Sequence, residues 1–212
     1  MIKESVNLRG EYEQLEGGVN KIFGASAQKV LENANKAFQT AGISANQYMS
    51  QVTSFSSSLI QSLGGDTEKA SEIANRAIID MADNANTFGS SIESIQNAYQ
   101  GFAKQNYTML DNLKLGYGGT KTEMERLIKD ASQMKDIQKE LNVEVTKGDM
   151  SFSNIANAIS VMQSKLKIAK TTEKEAMDTL QGSMNMLKAS WQNFLTGTEG
   201  LGPVVENARN SF

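Results

Sequence analysis

Apolar residues recur three and four positions apart along most of the chain, the spacing that puts them on one face of an α-helix. From Ser26 to Ala41 the positions Ala27, Val30, Leu31, Ala34 and Phe38 keep this register, and Gly42 supplies a left-handed stop. Ser44 followed by Gln47 reads as a capping box, with Ile43 and Tyr48 as its hydrophobic staple. The stripe then runs through Met49, Val52, Phe55, Leu59, Ile60 and Leu63 to Gly64 and Gly65. Asp66 caps a following helix whose apolar face carries Ala70, Ile73, Ala74, Ala77, Ile78, Met81, Ala85 and Phe88. Glu72 and Arg76 form an i,i+4 ion pair on its other face. So short a Gly-rich connection predicts an antiparallel helical hairpin.

Ser90 and Glu93 make a second capping box, and Ile92, Ile95, Ala98, Tyr99, Phe102 and Ala103 carry the helix towards Tyr107. There the pattern breaks. Met109, Leu110, Leu113 and Leu115 are apolar, while Asp111, Asn112, Gly116, Gly118 and Gly119 favour turns. An apolar loop is expected to pack over neighbouring helices or against a partner. Thr120 with Glu123, or Thr122 with Glu125, then opens a helix along Met124, Leu127, Ile128, Ala131, Met134 and Leu141. A polar link, Asn142 to Met150, precedes a helix from Ser151 with Phe152, Ile155, Ala156, Ile159, Met162 and Leu166 in register. The last long helix starts at a Thr172–Glu175 box and runs through Ala176, Leu180, Met184, Leu187, Trp191 and Leu195 to Gly197.

At the ends the pattern is weaker. Gly10, Gly17, Gly18 and Gly24 interrupt whatever helix Leu8, Tyr12 and Leu15 would support, so residues 1–25 read as an arm or a frayed helix. Gly200 to Phe212 reads as a trailing or cut end. The expected fold is all-α, several antiparallel helices with Gly-rich connections that form helical hairpins or a bundle, an elongated form being allowed. Three segments are expected: 1–41, an N-terminal arm and first helix; 42–197, the helical core; and 198–212, a C-terminal tail.

Composition supports helices with thin contacts. Of 212 residues 39% are hydrophobic and only 7% aromatic, which suits Ala, Met and Leu stripes better than a thick α/β core. The single proline, Pro203, leaves residues 1–200 free of its helix-breaking effect. With 21 basic and 24 acidic residues, net −3, and no cluster of Lys and Arg, a nucleic-acid surface is not expected. There is no cysteine, hence no disulfide and no thiolate metal site, as in reducing compartments. The charged N-terminus lacks the apolar stretch of a signal peptide, and no apolar run approaches the roughly 18 residues of a membrane span.

Candidate chemistry is sparse. Gly116 to Thr122 superficially resembles a phosphate cradle, but a Walker loop needs glycine where Thr120 and Leu115 stand, so a loop and helix cap is the better reading. Asp80, Asp83, Asn84 and Asn86 offer oxygen ligands along one helix without the alternating loop and distal Glu of an EF-hand, and read as a solvated face. Without histidine or cysteine the commonest general base and nucleophile pairs are missing, and no enzyme activity, cofactor or metal is expected. Met49, Met81, Met124, Met162 and Met184 fall on apolar faces and read as core filler, and Trp191 as a helix anchor in a core or interface.

One stretch is far more distinctive. Ala98-Tyr99-Gln100-Gly101-Phe102-Ala103-Lys104-Gln105-Asn106-Tyr107-Thr108-Met109-Leu110-Asp111-Asn112-Leu113-Lys114-Leu115-Gly116-Tyr117-Gly118-Gly119-Thr120 resembles the signature of the core of tail tape measure proteins, from long-tailed phages and prophages of Gram-positive bacteria. The resemblance extends upstream to Gly42–Met49 and Ile79–Asn84, and downstream through Lys174-Glu175-Ala176 and Gln181-Gly182-Ser183 to Trp191-Gln192-Asn193. It departs at Lys170, where the family usually has glycine before the Thr-Thr pair, and the chain lacks the family's long coiled coils and apolar segments.

The resemblance implies a structural component of a phage tail, acting in tail assembly and length determination and in genome ejection. It implies assembly in the bacterial host cytoplasm and a final place in the tail lumen of the virion. Its partners would be the major tail tube protein, tail assembly chaperones and tail tip proteins, with self-association besides. The interaction residues it implies are Tyr99, Gly101, Phe102, Asn106, Tyr107, Leu110, Asp111, Asn112, Leu113, Leu115, Gly116, Tyr117, Gly118, Gly119 and Trp191. The alternative is a secreted or host-interacting helical-hairpin protein derived from a prophage, although Trp191-Gln192-Asn193 lacks the glycine of the Trp-x-Gly turn of such hairpins.

Overall fold

A computed structural model describes residues 2–172, 180–197 and 203–204, and their side chains except at 2–6 and 180–186. The chain is all-α, with no strand among the described residues. It divides into two compact units, one made of residues 1–53 with 170–212 and the other of residues 54–169, so the units cut across the segments 1–41, 42–197 and 198–212.

In the first unit, α1 (Ile2–Phe23) is a continuous helix of 22 residues where an arm or frayed helix was expected. Each glycine in it costs about 1 kcal/mol relative to alanine, but Tyr12, Val19 and Phe23 are buried, and that burial outweighs propensity. A 3₁₀ turn at Gly24–Ser26 leads into α2 (Ala27–Ala41), which buries the predicted stripe and stops at Gly42 with φ 66°. The capping box forms as predicted: Gln47 Oε1 accepts from Ser44 N at 2.9 Å, and Ser44 Oγ accepts from Gln47 N at 3.3 Å. These residues start α3 (Ala45–Ser62). The last helix is Leu180–Thr196, here α9, and α1, α2 and α9 pack on one another. Arg9 donates to the Thr196 carbonyl at the C-terminal end of α9, where a cation is favoured by the helix dipole. The proposed cap partner Glu175, Ala176 and most of 198–212 lie outside the described residues.

The second unit takes over the last part of α3 and contains α4 (Thr67–Phe88), α5 (Ile92–Ala103), a 3₁₀ turn at Leu110–Leu113, α6 (Lys121–Ser132), α7 (Lys135–Glu140) and α8 (Phe152–Lys165). Every residue of α8 from Phe152 to Gln163 is buried, which marks it as the central helix. Its Ala, Ser and Asn side chains let α4 and α6 approach closely, and α5 and α7 also touch it. Hydrogen bonds pair residue 76 with 157 and 80 with 160, advancing together along both helices, so α4 and α8 run parallel. Gly64 and Gly65 do make the tight turn, with φ 64° and 96°. Along its length α4 packs against α8 and α5. The end of α3 meets the start of α8, where the Phe55 and Phe152 rings stand edge-on at 5.7 Å.

Candidate functional site

The distinctive segment closes over the second unit. Tyr99 and Phe102 point inward from α5 with ring centroids 5.9 Å apart, and Tyr107, Leu110, Leu113, Leu115 and Tyr117 are all buried. The apolar loop therefore packs over its own helices. Its glycines are set by close approach: a Cβ on Gly101 would stand 3.0 Å from the Asn106 carbonyl oxygen, and one on Gly119 would overlap the Thr108 carbonyl, 2.9 Å from its carbon. Gly116 has φ 85°. Asn106 Oδ1 accepts from Thr108 N at 3.1 Å and Thr108 Oγ1 at 2.8 Å, and Asn112 Nδ2 donates to Ser94 Oγ at 3.3 Å.

Polar straps hold the end of this loop to α6. Tyr117 Oη donates to Asp130 Oδ2 at 2.8 Å, while the Arg126 guanidinium lies 4.3 Å above the Tyr117 ring and donates to the Gly116 carbonyl at 3.0 Å. Thr120 is the N-cap of α6, its hydroxyl accepting from Glu123 N at 3.2 Å. Glu123 turns back to accept from Gly118 N at 3.1 Å, and Arg126 together with that N–H holds its carboxyl down at about 2. Thr120, not the phosphate cradle of the Walker comparison, organises this turn, and Lys121 pairs with Glu125 at 3.9 Å.

Beneath the loop, α4 carries a polar stripe that is not solvated. Asp80, Asp83 and Asn84 are 6%, 1% and 0% exposed, contrary to the solvated face read from the sequence, and of the four residues read so Asn86 alone is exposed. Asn84 Nδ2 donates to the Leu113 carbonyl at 2.9 Å, tying the loop to α4. Arg76 Nη2 donates to Asn157 Oδ1 at 2.6 Å, and Asn157 Nδ2 to the Glu144 carbonyl at 3.0 Å. Ser160 Oγ donates to Asp80 Oδ2. Burial drives the Asp80 carboxyl up to about 7 and Asp83 adds to the rise, while Ser160 and Arg76 oppose it. Burial likewise lowers the Arg76 guanidinium and raises the Tyr99 phenol, which feels Asp80 and Arg76. A signal existed: Arg76, Asp80, Asp83 and Asn84 recur at helical spacing, as do Asn157, Ser160 and Gln163, so two polar stripes face each other. Among the described residues no group of three or more carboxylates could hold a metal ion.

A groove of about 480 Å³ opens beside this stripe, bordered by Lys69, Glu72, Arg76, Lys139, Glu144 and Asp149. The polar link 142–150 forms one wall and is tied down by Asn154, which accepts from Thr146 N at 2.8 Å and donates to the Thr146 and Asp149 carbonyls at 2.9 and 2.7 Å.

The other implied interaction residues are scattered. Asn106, Asp111, Gly116 and Gly118 are exposed, and in the first unit Trp191 is 40% exposed, with its ring 5.6 Å from Phe194. Trp191 is thus not a core anchor. Its neighbour Asn193 is buried and accepts from Ala45 N at 3.0 Å, a second cap on α3 that sequence reading missed. Met49, Met81, Met124 and Met162 are buried, as core filler should be, and the side chain of Met184 lies outside the described residues. Lys170, where the resembling family has glycine, takes φ 66°, the region glycine favours. Comparison with protein-family models, with curated proteins and with solved structures finds no match to this chain.

Proposed function

We propose that the chain is a structural, non-catalytic component of a phage tail, the core of a tape measure protein acting in tail assembly and length determination. The observation that carries this reading is the resemblance of the unbroken run Ala98–Thr120 to the tape measure signature. Two geometric facts support it. The signature glycines Gly101 and Gly119 stand at close backbone approaches, tight for a Cβ at Gly101 and closed to one at Gly119, so the motif has a physical reason to persist as a unit. Lys170 holds the left-handed backbone that suits the family's glycine there. In this reading the buried aromatics of the loop build the fold, and tube protein, chaperones and tip proteins are met by the exposed residues around it, Asn106, Met109 and Asp111 among them.

The test is disruption of the gene in the phage or prophage that carries it, with induced particles scored by electron microscopy. Missing tails or tubes of uncontrolled length are expected, restored by the gene in trans. Normal tails of normal length would overturn the proposal, and export of the chain from cells free of phage would favour the prophage-derived secreted protein instead.

A further inference from the structure

We propose that the seam between α4, α5 and α8 is a binding site for ordered water, held by Gln163, Asn84 and Tyr99 and reached from the groove at Arg76. All three residues are fully buried, yet Gln163 Nε2, Gln163 Oε1, Asn84 Oδ1 and Tyr99 Oη have no hydrogen-bond partner among the described residues. Buried polar atoms of folded chains are almost always paired, because a polar group taken out of water without a replacement bond is costly. Unpaired atoms on three neighbouring helices point to a shared guest.

Helical geometry brings them together. α4 and α8 run parallel, with Arg76 bonded to Asn157 and Ser160 to Asp80, so the next turn sets Asn84 level with Gln163. At about 100° per residue, Asn157 and Gln163 lie on opposite flanks of Ser160. The Asn157 flank is turned to the 142–150 link, where Nδ2 donates to the Glu144 carbonyl. The far side of α8 meets α6 and the loop end, with Tyr117 Oη 3.9 Å from Met162 Sδ. The Gln163 flank therefore faces α5, which packs on both α4 and α8. Asn84 leans the same way, since its Nδ2 donates to the Leu113 carbonyl in the turn that packs on α5. Tyr99 comes from α5 itself, and its phenol feels the charges of Asp80 and Arg76.

The unpaired atoms identify the guest. The Gln163 amide nitrogen only donates, Asn84 Oδ1 and Gln163 Oε1 only accept, and the Tyr99 hydroxyl does either. Water, a donor and an acceptor at once, answers both kinds. A cation would meet the amide hydrogens and Arg76, and an anion would meet Asp80. At roughly three hydrogen bonds each, about one or two waters complete the set. The way in is polar as well, because Arg76 and Asn157, the first pair of the seam, border the groove of about 480 Å³.

The experiment uses the full chain in solution. Nuclear Overhauser contacts are expected between water and the side-chain amide hydrogens of Gln163, with the sign of a long-lived complex, and their absence would overturn the proposal. Thermal melts give a second reading. Gln163→Met keeps the length of the side chain and removes its amide. With water bound, that change strands the water's other partners and the melting temperature falls, whereas loss of a dry amide would raise it. A rise in Gln163→Met thus overturns the site. Should that variant not fold, Tyr99→Phe deletes a single hydroxyl and is read in the same way. Melts in sodium chloride and in choline chloride at equal ionic strength should coincide, and stabilisation specific to sodium would overturn water in favour of a bound cation.

Discussion

At the scale of single residues, the loop from Asn106 to Gly119 separates glycines that look alike in the sequence. Gly118 and Gly119 are adjacent, and both read as turn formers. A Cβ on Gly118 would meet Glu123 Cγ at 3.6 Å, an ordinary contact, whereas on Gly119 it would overlap the Thr108 carbonyl. Gly119→Ala should therefore cost about 1–3 kcal/mol through forced backbone movement, and Gly118→Ala less than about 0.5 kcal/mol, as read by urea unfolding. Equal effects would mean that the Thr108 approach relaxes freely. That Tyr99, Phe102, Leu110 and Leu113 would be buried was legible in their apolar character. That Asp80, Asp83 and Asn84 would join them was not, because polar residues at helical spacing mark a solvated face unless a second polar stripe meets them, and only the fold brings Asn157 and Ser160 to that place.

At the scale of elements, start signals were the most legible feature and pairing the least. Ser44, Asp66 and Thr120 cap the helices they were read to cap, Ser151 turns out to cap the helix read to begin there, and the second box is displaced by one residue, with Ser91 rather than Ser90 accepting from Ser94 N. Caps are local hydrogen bonds, so local sequence encodes them. Two caps competed before α6. The structure uses Thr120, so Thr120→Ala should lose about 1 kcal/mol of stability, while Thr122→Ala, already inside the helix, should change it by under about 0.5 kcal/mol. A larger loss at Thr122 in the same unfolding assay would show that the helix starts later in solution. Pairing is different in kind: α4 and α8 meet through residues 80 positions apart in sequence, and nothing in the short Gly64–Gly65 turn announces a parallel partner for α4. The helix α1 was obscured for a related reason, since Tyr12, Val19 and Phe23 find their burial against other helices of its unit and so outweigh its glycines.

At the scale of the whole molecule, the two units differ in how the chain builds them, and this has a consequence for folding. The second unit is one continuous stretch, 54–169, whereas the first is assembled from both ends of the chain, 1–53 with 170–212. A continuous stretch can close its core without waiting for distant segments, but a split unit must first close the loop between its parts. The second unit also owns its core: Phe55, Leu59, Ile78, Met81, Tyr99, Leu110 and Leu113 all belong to it and are buried. Residues 44–169, which keep α3 whole with its Ser44–Gln47 cap, should thus fold alone to a helical domain that melts cooperatively by circular dichroism. Residues 1–53 alone lack α9, against which α1 and α2 pack, and should remain largely unfolded. Cooperative melting of the longer fragment with loss of structure in the shorter one would mean that the signature loop sits on an autonomous domain, able to be displayed by whatever chain carries it. A broad, non-cooperative melt of residues 44–169 would mean that the polar α4–α8 seam does not hold unless the ends of the chain are joined as well.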